Sequence, residues 1–133
     1  MRPKVIDHIN LHVPVSGVDR AVEFYRDTLG FETANLDAYR AGDRSLFTFR
    51  PGAGTGCVVH VMPIEEFEPP GRNLNHVAVL LDDSLEEVER AIADADVEVV
   101  RRRDRSDRPG ADVAIYVRDP FGYTVELRPE PEP

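Results

Sequence analysis

Five residues carry most of the chemistry this sequence could perform: His8, His12, His60, His76 and Glu126. Histidine and glutamate side chains are the donors that divalent Zn, Fe, Mn, Ni or Co ions take. Two histidines and one carboxylate with open positions also form the ligand set of non-haem iron oxygenases. A lone histidine on a strand is ordinarily a hydrogen-bonded, partly buried residue. A metal site therefore needs several such residues to fall on one face.

Strand alternation supplies that face. In "DHINLHVP" Ile9, Leu11 and Val13 form an apolar side, while His8, Asn10 and His12 share the other. "CVVHVMP" puts Cys57, Val59 and Val61 opposite Val58, His60 and Met62. "LNHVAVLL" puts Val77, Val79 and Leu81 opposite His76, Ala78 and Leu80. Val113, Ile115 and Val117 oppose Ala114, Tyr116 and Arg118, and Val125 and Leu127 oppose Thr124, Glu126 and Arg128. Every strand has one oily side and one mixed side, and all four histidines lie on the mixed side. An antiparallel sheet covered by helices on one face needs this division.

The elements that position these faces come twice. "VIDHINLHV" reads as a strand, and "SGVDRAVEFYRDTLGF" as a helix with Ser16 as its N-cap and Gly30 as its stop. Val18, Ala21, Val22, Tyr25 and Leu29 fall on its buried stripe. Strands follow at about 31–39, "RSLFTFR" and "CVVHVMP". The second half repeats the order: "LNHVAVLL", the helix "SLEEVERAIADA" with a Ser84–Glu87 capping box, then "VEVVRR", "DVAIYVR" and "YTVELRP". His8 and His76 are 68 residues apart, as are Ser16 and Ser84, Asp19 and Glu87, and Arg50 and Arg118. His60 and Glu126 are 66 apart, because the turn "PGAGTG" is longer than "DPFG". The pattern implies a duplicated βαβββ module. Module one spans 1–66, a linker 67–72, and module two 73–129, with an extended tail at 130–133. Each half has too little core to stand alone, so the two are expected to form one domain. The expected fold is α+β: a cup-shaped, mostly antiparallel sheet with helices on its outer face.

Bulk properties narrow the partners. Net charge is -9 over 133 residues, a field that repels nucleic acid and anionic membrane. No apolar run reaches the roughly 20 residues of a membrane helix, and no signal-peptide pattern opens the chain. Cys57 is the single cysteine, which rules out an intramolecular disulfide. A cytoplasmic location is the default expectation. Lys4 is the only lysine among 16 basic residues. The run "RRRDRSDRPG", residues 101–110, reads as a solvated loop of mixed charge, or as a lip whose arginines meet an anionic substrate.

Taken together, the stretches "DHINLHVPVSGVDRAVEFYRDTLGFE", "LNHVAVLLDDSLEEV" and "IYVRDPFGYTVELRP" resemble the vicinal oxygen chelate superfamily over nearly the whole chain. That superfamily includes glyoxalase I, methylmalonyl-CoA epimerase, extradiol dioxygenases, and fosfomycin- and bleomycin-resistance proteins. Asp-Pro-x-Gly followed by glutamate is the most specific element. The resemblance implies a divalent metal held by His8, His76 and Glu126. His60 stands where glyoxalase I has Glu and the epimerase Gln. It also implies a small-molecule substrate with adjacent oxygens and a homodimer.

Lewis-acid catalysis of a lyase or isomerase type is then the leading expectation. His12, His60 or Glu126 would move the proton, and Arg50, Arg118, Arg128 and Asn10 would contact substrate. Ring cleavage by Fe(II) is the alternative. Tyr116 and the run from Ile115 to Glu126 fit the extradiol pattern, but its upstream histidine is replaced by Asp107, Arg108 and Pro109. Small-molecule sequestration without catalysis, as in bleomycin resistance, is the third reading.

Overall fold

The computed structural model describes residues 1–52, 56–104 and 113–130. It forms two compact units, Met1–Glu68 and Pro69–Pro133. Each contains one four-stranded mixed sheet with helices beside it, and neither sheet closes into a barrel. The α+β class and the βαβββ order hold.

In the first unit β1 (His8–Pro14), β2 (Glu32–Ala34), β3 (Phe47–Arg50) and β4 (Val58–Ile64) line up as β1-β4-β3-β2. The β1–β4 pair is parallel, while β2–β3 and β3–β4 are antiparallel. The helical segment between β1 and β2 opens with a 3-10 turn, Val15–Gly17. It continues as α1 (Val18–Val22) and widens to a π-helical turn at Glu23–Thr28. Val18, Ala21, Val22 and Tyr25 are buried, as the periodicity predicts. Gly30 ends the segment with φ +82°, and its N–H reaches the Arg26 carbonyl at 3.0 Å. Glycine takes that conformation without a Cβ penalty.

Two expectations for this unit are corrected. Ser16 is not the N-cap: it lies inside the 3-10 turn, and α1 starts after Gly17 without a side-chain cap. The expected strand 31–39 is only the three residues of β2, followed by α2 (Leu36–Arg40). Asn35 causes the change. It takes φ +64°, a left-handed geometry that asparagine tolerates, and turns the chain out of the sheet. Leu36 is then buried, and the Tyr39 ring lies 5.6 Å from that of Phe47. Below the sheet Tyr25, Phe31, Phe47 and Phe49 form an aromatic core. Tyr25 stacks on Phe49 at 5.1 Å, and Phe47 meets Phe49 edge-on at 5.4 Å.

In the second unit β5 (Val77–Leu80), β6 (Val99–Asp104), β7 (Val113–Arg118) and β8 (Thr124–Arg128) take the corresponding order, β5-β8-β7-β6. The β5–β8 pair is again parallel and the others antiparallel. The core is aliphatic, with Val113, Ile115, Val117, Val125 and Leu127 buried. α3 (Leu85–Asp94) begins at Ser84. The Ser84 hydroxyl accepts from the Glu87 N–H, and the Glu87 carboxylate accepts from the Ser84 N–H at 2.8 Å. These bonds to the charged form hold the Glu87 carboxyl below its ordinary pKa.

The Asp-Pro-x-Gly turn has a plain physical basis. Asp119 is buried, and its Oδ1 accepts from the Phe121 and Tyr123 N–H groups, each at 2.8 Å. Gly122 supplies φ +98°. The hairpin thereby delivers Glu126 in fixed register opposite Tyr116.

Three further expectations meet the structure here. Residues 101–104 are strand, not loop; residues 105–112, including Asp107, Arg108 and Pro109, lie outside the described residues. Glu130 belongs to the unit rather than to a loose tail, since its N–H donates to the Asp83 carbonyl at 2.9 Å. The tail's remaining residues, 131–133, lie outside the described ones. Among the described residues no helix is long and apolar enough to cross a membrane.

Candidate functional site

Each unit brings one pair of donors together. On β1 and β4, Asn10 is the register partner of His60, and His8 lies two residues before Asn10 on the same face. The His8 and His60 rings meet with centroids 4.4 Å apart. On β5 and β8, Ala78 is the register partner of Glu126, and His76 lies two residues before Ala78. His76 Nε2 is 2.9 Å from Glu126 Oε2. The same diagonal across a parallel strand pair thus produces His8/His60 in one unit and His76/Glu126 in the other.

The second nitrogen of each histidine is engaged. His8 Nδ1 donates to Asp7 Oδ2 at 2.7 Å, and His76 Nδ1 donates to Asn75 Oδ1 at 2.7 Å. His60 Nδ1 is 2.8 Å from the hydroxyl of Thr48, itself only 2% exposed. In all three rings Nδ1 is held by an oxygen, which leaves Nε2 as the working nitrogen. Oxygen partners on the outer nitrogen fix tautomer and ring orientation in metal-binding histidines.

The His76–Glu126 pair carries a further constraint. Glu126 is buried, with a side chain 7% exposed. Because His76 spends one proton on Asn75, its Nε2 can bond Glu126 only if the pair holds a second proton. Otherwise two acceptors face each other at 2.9 Å. A divalent cation can stand in for that proton. The donor set therefore fits a metal, although among the described residues no three His, Cys, Asp or Glu side chains are gathered to hold one by themselves.

Electrostatics differ between the pairs. The His60 pKa lies below its ordinary value, first because of desolvation, then because of His8 and Arg50, with Asp7 opposing. Near Glu126, Arg103 Nη2 is 3.8 Å from Oε1. The Tyr116 ring meets His76 edge-on at 5.3 Å.

The other candidates separate. His12 is exposed on the His8 face, paired in register with Met62, and Asn10 is exposed between the two histidines. Arg50 ends β3 in an exposed position. Arg118 is occupied as a turn brace, donating to the Gly122 carbonyl at 3.3 Å and the Thr124 hydroxyl at 3.0 Å. Arg128 lies half-buried on β8. Sequence reading missed Asp7, Thr48 and Asn75. Asp7 and Asn75 each immediately precede a candidate histidine, a signal that was available. A cleft of about 300 Å³ lies on the helix side of the second sheet, lined by Ile92, Val97, Val99, Arg102 and Ile115 among others, opposite the donor face.

The family model for the Glyoxalase/Bleomycin resistance protein/Dioxygenase superfamily matches residues 5–127, which includes all four donors. The chain belongs to that superfamily. A structure from Bacillus anthracis assigned to the glyoxalase family is similar at 26% identity, covering 98% of this chain and 99% of its own, with a TM-score of 0.68. A glyoxalase/dioxygenase from Nostoc punctiforme is similar at 20% identity, with coverage of 96% and 91% and a TM-score of 0.69. A lactoylglutathione lyase from Agrobacterium tumefaciens is similar at 21%, with coverage of 97% and 96% and a TM-score of 0.63. At these last two identities the likeness is one of fold. No curated protein sequence matches the chain. Superfamily membership brings the fold and a common use of divalent metals, while reaction and substrate are set by the residues of each member.

Proposed function

We propose that this superfamily member is a metal-dependent, glyoxalase-like enzyme of lyase or isomerase type, acting on a small molecule with adjacent oxygens. One observation carries the reading: His76 Nε2 and the buried Glu126 carboxylate face each other at 2.9 Å while His76 Nδ1 is committed to Asn75. That pair is completed by a cation. His8, His76 and Glu126 are the proposed ligands and His60 the fourth, a set suited to Zn, Fe, Mn, Ni or Co. Such an ion would supply Lewis acidity toward two substrate oxygens.

The chain's own residues do the rest. Asp7 and Asn75 each accept from an Nδ1–H and so hold His8 and His76 in one tautomer, while Thr48 anchors the His60 ring through Nδ1. Desolvation lowers the His60 pKa and so favours its neutral form, the form that can ligate a metal. His12, on the same strand face as His8, is the group we assign to proton transfer. A homodimer belongs to the same reading.

The test is elemental analysis of full-length protein purified without added metal. We expect about one divalent ion per chain, lost when His76→Ala and Glu126→Ala are combined. Unchanged metal in that double variant would overturn the proposal. Fe(II) ring cleavage is the second reading, favoured by Tyr116 standing edge-on to His76. It requires oxygen uptake with a catechol on iron-loaded protein, and silence across a catechol panel removes it.

A further inference from the structure

Strand β6 holds three consecutive arginines, and a bulge decides which way they face. Val99 pairs with Val117, whose side chain is in the aliphatic core, but the register then shifts so that Arg101 pairs with Tyr116. Val100 is the extra residue. Strict alternation from Val99 would have sent Arg101 toward the helix side. The bulge reverses this, as bulges beside functional sites do. Arg102 pairs with Ile115 and lies on the helix side, where it meets Glu89 of α3 and, at 3.5 Å, Asp104. Arg101 and Arg103 share the face of Tyr116 and Glu126.

These two arginines differ from Arg102 and Arg118 in the same unit. Arg118 braces the turn through Nη1, and Arg102 is neutralised by carboxylates. Arg101 Cζ stands 4.6 Å over the Tyr116 ring, a cation–π contact that places the guanidinium on the donor face without occupying its N–H groups in a carboxylate bond. Tyr116 in turn touches His76, so Arg101 lies one ring away from a proposed ligand. Arg103 approaches Glu126 at 3.8 Å, beyond hydrogen-bond distance, and its side chain is 51% exposed. In a chain of net charge -9, two such arginines beside a buried carboxylate are a local reversal of sign.

We propose that Arg101 and Arg103 form a carboxylate clamp on the donor face of the second unit. The substrate class is then narrower than any molecule with adjacent oxygens: it carries a carboxylate beyond its chelating oxygens, and the paired guanidiniums read it by charge-assisted hydrogen bonds. The inference deepens the reading given above, and rests on it for the position of the chelating oxygens.

Calorimetry on the full chain tests it, with 2-oxoglutarate and 2-oxoadipate compared with pyruvate. All three offer the same adjacent oxygens, but only the first two carry a second carboxylate. Both should bind at least about tenfold tighter than pyruvate. In Arg101→Gln/Arg103→Gln that ratio should fall to about one, while bound metal stays unchanged. Arg102→Gln, on the opposite face, should keep the ratio. Equal binding of the three acids to the parent protein, or a ratio that survives the double substitution, overturns the clamp. Repeating the titration on chelator-treated protein separates the two readings. A ratio kept after the metal is removed supports the clamp by itself, and elemental analysis of untreated protein alone then decides the metal assignment.

Discussion

The two units use one strand diagram for different chemistry. In both, the first and last strands run parallel, and a residue on each is brought together by the same diagonal. The first unit makes a pair of histidines, 4.4 Å apart between centroids, with one side chain partly exposed to water. The second makes a histidine and a buried carboxylate joined at 2.9 Å. Both histidines of the opening strands take an oxygen from the preceding residue, Asp7 or Asn75. The scaffold fixes where a donor stands; the closing strand decides what it is. Charge follows from that choice. A second imidazole adds no anion, and His60 is pushed toward neutrality. A carboxylate must be balanced, and His76 and Arg103 lie beside it.

Beneath the sheets the contrast continues. Phe49 and Val117 hold equivalent positions 68 residues apart, and both are fully buried. Phe49 belongs to a cluster of rings, Val117 to an aliphatic layer. Phe49→Ala should destabilise the protein by about 3–5 kcal/mol, since Tyr25, Phe31 and Phe47 lose a ring that the backbone cannot follow inward. Val117→Ala should cost about 2 kcal/mol, from the smaller volume removed. Urea titration of both variants gives the comparison. Equal losses would mean that the aromatic cluster collapses around its gap and is no tighter than its aliphatic counterpart.

The helices offer a smaller contrast. Ser16 and Ser84 are also 68 apart, and their sequences suggested the same cap. Only Ser84 forms one. Ser84→Ala should therefore cost about 1 kcal/mol, and Ser16→Ala close to nothing. A comparable loss at both sites, read from thermal midpoints, would place a cap in the first unit that the structure does not have.

These pairs mark what the sequence could convey. Hydrophobic alternation revealed the repeat, the apolar faces and the faces that pair His8 with His60 in one unit and His76 with Glu126 in the other, because a strand's period of two leaves little freedom where one side is buried. The Ser84–Glu87 box was legible because both partners are local. What escaped depended on single backbone choices. Asn35 ends a strand that composition would have continued. The Val100 bulge inverts the facing of Arg101, Arg102 and Arg103, and no alternation rule anticipates an inserted residue. Arg118 was legible as a candidate substrate contact, but not its Nη1 bonds to the Gly122 carbonyl and the Thr124 hydroxyl, which depend on a turn only three dimensions display.

The smallest expected effect tests the electrostatic half of the comparison. His60 is desolvated and stands beside His8, and its pKa in the folded chain lies below the ordinary value near 6.5. The unfolded chain therefore takes up a proton that the folded chain resists. Above about pH 6.5 both states leave His60 neutral, and it contributes no pH dependence. As pH falls through 6.5 toward the depressed value, stability is lost, and below that value the loss levels off. Chelator-treated protein should show this between pH 7.5 and 5.5 as a drop in the urea midpoint that is larger for the parent chain than for His60→Asn. The difference between the two chains removes groups common to both, including His76 and Glu126. Identical slopes would mean that the first unit's histidine pair is as well solvated as two isolated imidazoles, and the charge contrast between the units would then rest on Glu126 alone.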